Sequence, residues 1–375
     1  MRRPMLAILA ALALSAPAAL SAEPLKIVTD SPPMPASYSR FALHSDRLGR
    51  DISVTVNMPS ATVFLPGQKM PVIYALDGGY GMAGPQGNLL ANTGVMQPAM
   101  IVSVGYLAGQ KNWRATDLTH TKGTIPESGG GAAFEAFLLE DLKPFIEAKF
   151  PADPKHSVLF GHSLGGLFVA NVFADNPDAF SGYIIGSASA WADPPVVDRV
   201  AAAAARAHGA RIYLTVSELE YGGTGGGAMT MGGGYEALGK ALSGKPGVVL
   251  QTRLYQGESH LSYYPRLVND GFPAVLPPAV PMSAQQAKVP ADIAARYAGV
   301  YDMPDGRKLT VKGLPTGQMS AQVTGIPPVP LLPNGKDRFY NPTSDIDAVF
   351  DDKGLTMSGG GAKLRIPREA GSAKP

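Results

Sequence analysis

The spacing of apolar and polar residues changes character along the 375-residue chain. "ISVTV" (52–56) alternates apolar and polar positions, as a half-buried strand does. Residues 72–76 and "AMIVSVGY" (99–106) are almost unbroken apolar runs, the pattern of central strands covered on both faces. "AAFEAFLLEDLKPFIEAKF" (132–150) places apolar residues three and four apart and predicts an amphipathic helix, with Pro144 as a point for a kink. "HSVLF" (156–160) predicts another strand, and the helix after it ends at Asn176-Pro177. Strands follow at "FSGYIIGSAS", "RIYLTVSE" and "GVVLQTRLY" (247–255), with an alanine-rich helix over 199–208 between the first two. Strands alternating with helices predict an α/β fold: a mostly parallel sheet with helices on both faces.

Two stretches break this rhythm. Residues 222–234, "GGTGGGAMTMGGG", predict a flexible loop and lack the Gly-Lys-Ser/Thr ending of a phosphate-binding loop. Residues 274–290 are spaced by prolines and predict a linker. Beyond it, short alternating runs such as "RKLTVKG" and "MSAQVTG", separated by Gly and Pro turns, predict a small antiparallel β domain over 291–369. A disordered tail is expected over 370–375, and the α/β domain itself over 23–273.

The first 22 residues carry Arg2 and Arg3, a short apolar run over 6–14 and then mostly small residues, the pattern of a cleavable signal peptide. A periplasmic or secreted protein is expected, with no membrane span once the signal is cleaved. The formal net charge of +2, without a block of like charges, argues against a nucleic-acid surface. The chain has no cysteine, which excludes disulfides, thiol nucleophiles and thiolate metal sites.

Candidate chemistry centres on Gly161-His162-Ser163-Leu164-Gly165, a G-x-S-x-G pentapeptide between a predicted strand and a predicted helix. In that setting the sequence predicts a sharp turn that presents Ser163 as a nucleophile. The bland alternative is a helix N-cap serine. Of six histidines, His260 follows the last predicted strand, where the chain order serine, acid, histidine requires the base. Either Glu218 or Glu220, after "RIYLTVS", can supply the acid; Asp193 and Asp198 precede the intervening helix. Oxyanion donors are expected from the N–H of Leu164 and from Gly79 or Tyr80 in "LDGGYG". No metal and no organic cofactor is expected.

These stretches resemble the putative-esterase branch of the α/β-hydrolases, which includes siderophore, mycolyl and feruloyl enzymes. The resemblance runs over roughly 38–270 through "RLGRDISVTVNMP", "VIYALDGGY", "NWRATDLT", "GHSLGGLFVANVFADNPDAFSGYIIGSASAWAD", "LTVSELE" and "GESHLSYYPRL". It implies Glu220 as the acid, although Ser217 stands where that pattern has glycine. It implies Gly79 as the oxyanion donor and a structural or pocket-shaping R-x-x-D element at Arg114 and Asp117. Tyr80, Arg114 and Trp191 are expected to line the pocket, and Arg114 and Arg266 are the basic residues expected near it. The implied partner is a small-molecule ester, either of siderophore type or a feruloyl, acetyl or small acyl ester. An acyltransferase would use the same three residues, and a binding protein on a retired hydrolase scaffold is the reading from a different class.

Overall fold

The computed structural model describes residues 26–30, 38–59, 64–123, 125–221, 230–280 and 287–370. The expected signal peptide and most of the glycine-rich stretch (222–229) therefore lie outside the described residues.

Nine described strands form the first sheet: β1 Lys26–Asp30, β2 Tyr38–Ser45, β3 Arg50–Asn57, β4 Met70–Ala75, β5 Met100–Gly105, β6 Ala152–His162, β7 Gly182–Gly186, β8 Ala210–Ser217 and β9 Val248–Tyr255. Their spatial order is β1-β2-β3-β5-β4-β6-β7-β8-β9. The strands from β5 to β9 across that order pair in parallel, and β1, β2 and β3 add an antiparallel flank. Parallel neighbours need crossovers, and the helices that supply them cover both faces. Phe41, Val54, Val104, Leu159 and Phe168 belong to the core on one face. Ile73, Ile101, Phe160, Leu267 and Phe272 belong to the core on the other. This is the α/β fold read from the alternating pattern.

Several local expectations change. The 132–150 helix is widened by a π-turn at Phe137–Leu142, and Pro144 sits in the first turn of the α-helix Lys143–Lys149 that follows. Irregularity thus falls one turn before the proline, where it frees the carbonyls that the ring would otherwise crowd. The alanine-rich helix is Val196–Ala204, earlier than expected, so His208 lies beyond it and pairs with Asp178 at 2.8 Å. Residues 231–234 are helical, not loop: Thr230 caps the helix Met231–Leu242 by accepting from the Gly233 N–H. The start of the proline-spaced stretch is also helical, because Tyr264–Val275 runs into it.

The second sheet holds eight described strands, β10 Gly299–Asp302, β11 Lys308–Gly313, β12 Met319–Val323, β13 Val329–Pro333, β14 Arg338–Asn341, β15 Ile346–Asp351, β16 Gly354–Gly359 and β17 Ala362–Pro367. Each pairs antiparallel with the next. An antiparallel bridge from Tyr301 to Arg368 joins the last strand to the first and brings the sheet close to a closed barrel. Tyr301, Phe339, Phe350 and Leu355 fill its own core. Against the first region, Gln68 donates to the Ser344 carbonyl and Val280 packs on Leu332 and Tyr340. Among the described residues no helix is long and apolar enough to cross a membrane.

Candidate active site

Ser163 stands between β6 and the helix Leu164–Asp175 with φ 63° and ψ −121°, a conformation that L residues rarely occupy. Close packing forces the turn. A Cβ on Gly161 would lie 2.2 Å from the Gly165 carbonyl oxygen, and one on Gly166 would lie 2.5 Å from the Gly186 carbonyl oxygen. Gly165 is less confined, with Asp77 Oδ2 at 3.3 Å the nearest atom. The strain is held by hydrogen bonds: Ser163 N–H donates to the Gly186 carbonyl at 2.9 Å, and its carbonyl accepts from Leu167 and Ser189. Leu164 opens the helix, where N–H groups have no intrahelical acceptor.

The ends of β8 and β9 bring Glu220 and His260 together. His260 Nδ1 lies 2.5 Å from Glu220 Oε1. Glu220 Oε2 accepts from Ser187 Oγ at 2.6 Å, Ser217 Oγ at 2.5 Å and the Ser217 N–H at 3.1 Å. Burial opposes ionisation of Glu220, but hydrogen bonds from His260, Ser187 and Ser217 outweigh it and bring its pKa down to about 2. An ionised carboxylate can only accept, so Nδ1 of His260 carries the proton and Nε2 of the neutral ring is left as an acceptor. Glu218 is exposed and instead accepts from the Gly257 N–H at 2.7 Å.

Ser217, where the family pattern has glycine, closes a capping box with Glu220. Its hydroxyl adds a donor to the carboxylate that a glycine could not offer. Ser187 (φ 38°) and Tyr263, whose hydroxyl is 2.7 Å from Ser187 Oγ, were not singled out from the sequence. Ser187 follows β7, the strand beside β8, and that neighbour relation was its only signal.

His162 is buried and points away from solvent, with its ring centroid 4.5 Å from that of His260. Burial, helped by His260, lowers its pKa to about 3 and keeps it neutral. Of the other acidic candidates, Asp193 is held by Arg199 at 2.7 Å and Asp198 lies in the first turn of Val196–Ala204.

On the other side of β6, "DGGYG" forms a short left-handed turn with positive φ from Asp77 to Gly81. Arg114 clamps it from beneath, with Nε and Nη2 donating to the two Asp77 oxygens at 2.7 and 3.0 Å. Arg114 and Asp117 are not partners, since Asp117 binds Arg50. The Gly79 N–H already donates to the Leu76 carbonyl at 2.9 Å, so a further acceptor has to share it or displace Leu76. Tyr80 is exposed and lines, with Arg114, a cleft of about 380 Å³. Trp191, also exposed, follows β7 on the opposite side of Ser163. Arg266 is engaged by Glu258 at 3.1 Å and lies over the Tyr255 ring.

Among the described residues, one cluster has the composition of a metal site. His120, Glu135 and Asp175 gather at the far end of the Leu164–Asp175 helix, where His120 Nε2 is 3.1 Å from Glu135.

Comparison with known proteins agrees with this architecture. Residues 45–224 match the family model described as "Putative esterase". The chain is 32% identical over 256 residues to the ferri-bacillibactin esterase BesA of Bacillus subtilis (strain 168), covering 62% of this chain and 87% of that protein. The crystal structure of BES protein from Bacillus cereus superposes with a TM-score of 0.57 at 26% identity, covering 67% of this chain and 99% of that one. Siderophore hydrolase EstB from Aspergillus nidulans, at 21% identity and a TM-score of 0.55, shares the fold over 67% of this chain and 99% of its own. The chain belongs to the putative-esterase family, and it is a hydrolase that acts on esters.

Proposed function

We propose that the chain is an exported serine esterase that works through an acyl-enzyme and cleaves siderophore-type esters. The observation that carries the mechanism is the 2.5 Å contact of His260 with a buried, multiply hydrogen-bonded Glu220, at the same carboxyl end of the parallel strands as the strained Ser163 turn. In this reading Ser163 Oγ attacks the ester carbonyl carbon and passes its proton to His260 Nε2. The oxyanion takes a hydrogen bond from the Leu164 N–H and a second from the Gly79 turn, where Gly79 turns from Leu76 toward the substrate. The C–O bond then breaks as His260 protonates the departing alcohol. Water, deprotonated by His260, attacks the acyl-enzyme and frees the acid and Ser163. Glu220 holds the ring in the required tautomer and stabilises the imidazolium that forms at each step.

Support for the substrate class comes from the 32%-identical relative, which is named for a ferri-siderophore ester. Support for export comes from the signal-like residues 1–22. The division into an esterase domain over 23–273, a linker over 274–290 and a small β domain over 291–369 belongs to the same reading.

The test is hydrolysis of an iron-loaded catecholate triester, methyl ferulate and p-nitrophenyl butyrate by the wild type and by Ser163→Ala. The triester is expected to be preferred, and the variant to lose on the order of 10⁴-fold in turnover on every ester. A variant with unchanged turnover refutes the serine mechanism, and a preference for ferulate or butyrate refutes the substrate class.

A further inference from the structure

The cleft beside the Gly79 turn has a floor built from three adjacent strands. The register pairs Arg40 of β2 with Thr55 of β3, and Thr55 with Ser103 of β5. These three side chains share one sheet face, because Phe41, Val54 and Val104 next to them belong to the core on the other face. Strands lie about 4.8 Å apart, so the row crosses roughly 10 Å of sheet. It ends under the turn, where a Cβ on Gly79 would lie 3.1 Å from Ser103 Oγ. Tyr106 and Asn112 complete the polar walls, and the volume is about 380 Å³.

The two guanidinium groups in this cleft differ. Arg114 is consumed by Asp77. Arg40 is exposed, and no carboxylate or carbonyl among the described residues engages it. The cleft therefore offers hydroxyls along its floor and one uncommitted positive charge at its outer end. Neutral acyl chains gain nothing from such a surface, whereas an oxygen-rich anion gains charge-assisted hydrogen bonds.

We infer that this trough is a subsite for an anionic, oxygen-rich group of the ester substrate and that Arg40 determines the preference for that charge. The inference rests on the serine-esterase reading, because it places the ester carbonyl at Ser163 and the charged group on the β3 side of the Gly79 turn. It assigns a residue outside the triad and oxyanion turn, on a strand not expected to contribute to the site.

The experiment uses the full chain with three matched substrates. These are p-nitrophenyl butyrate, which is neutral, p-nitrophenyl hemisuccinate, with a carboxylate on the acyl side, and 4-acetoxybenzoate, with one on the alcohol side. Wild type is expected to prefer one of the anionic esters. Arg40→Gln should cut kcat/KM for that ester by about tenfold or more, mainly through KM, and leave butyrate within about twofold. Arg40→Lys should recover much of the loss, and 0.5 M salt should erode the wild-type preference. The side on which the carboxylate is read tells whether the trough holds acyl or alcohol. Equal losses on all three esters, no loss on either anionic ester, or no anionic preference in wild type would overturn the assignment. Ser163→Ala, run alongside, separates the two readings: if it stays active the serine mechanism fails whatever Arg40 does, and if it is inactive while Arg40→Gln changes nothing, only the trough fails.

Discussion

In the nine-stranded sheet the chain order and the spatial order diverge, and each divergence leaves a strand end beside a crossover. In the eight-stranded sheet every strand turns back onto its neighbour. The difference extends to what each sheet tolerates. The non-glycine residues with positive φ in the first region include Tyr80, Ser163 and Ser187, all at strand ends around one spot, whereas those among the described residues of the second are Asp337 and Asp345. Asp337 and Asp345 are the short polar residues that local turns accept without strain, and they accept hydrogen bonds from Tyr297 and Tyr340. Fully buried carboxyl and imidazole side chains divide the same way. Asp117, Glu135, Asp141, His162, Asp193 and Glu220 are buried in the first region, while the buried polar residues described in the second are Asn341, Thr343 and Ser344. Strain and desolvated charge cost stability. Their concentration in one region identifies where that cost is returned as chemistry.

The contrast can be broken most forcefully at Glu220. Replacing it by Gln keeps the shape but removes the ionised acceptor that fixes the His260 tautomer. Turnover on p-nitrophenyl butyrate is expected to fall by about 10⁴-fold, with far-ultraviolet circular dichroism unchanged. A fall of tenfold or less would mean that the buried charge has a structural purpose only. Phe350→Ala is the counterpart in the second sheet, where the ring packs against Tyr297, Tyr301 and Phe339. It should cost about 3–5 kcal/mol in urea unfolding of that region and leave turnover per folded molecule unchanged. Lost turnover without lost fold would show that the second sheet participates in the reaction.

How much of this was legible beforehand follows from range. Ser163 and His260 could be named because a local pattern, strand then glycine-flanked serine then helix, and a chain order constrain them. Nearly unbroken apolar runs between helical patterns likewise marked the first sheet, and short alternating runs the second. Glu220 could not be separated from Glu218 by spacing, since two residues at a strand end diverge only through the three-residue turn that follows; in the fold, Ser217 closes that turn on Glu220 and His260 contacts Glu220. Ser187 and Arg40 were invisible for a different reason. Arg40 reaches the cleft because β3, its hairpin partner, pairs with the distant β5, and Ser187 reaches Glu220 because β7 lies beside β8 across a crossover helix; no periodicity reports which strands become neighbours. The engaged Gly79 N–H was equally beyond reach, because it depends on the handedness of a five-residue turn.

His162 offers the finest test of the contrast, because its burial affects stability rather than turnover. Its folded-state pKa is pushed down to about 3 by burial and by His260, while in an unfolded chain an imidazole takes up its proton near 6.5. Between those values the unfolded state binds the extra proton, so the stability of the first region falls as pH drops through that window. By pH 4 the loss amounts to about 3 kcal/mol. Glu220 adds to it below its ordinary carboxylate range, since its own pKa is held at about 2 and it too resists protonation while folded. His162→Gln removes the first contribution and retains the second. Urea unfolding from pH 7 to pH 4 should therefore show the wild type losing stability more steeply than the variant, with most of the divergence between pH 6 and pH 4. Parallel curves would mean that the folded protein lets this ring take up a proton, and the image of a dry, neutral imidazole behind His260 would have to be given up.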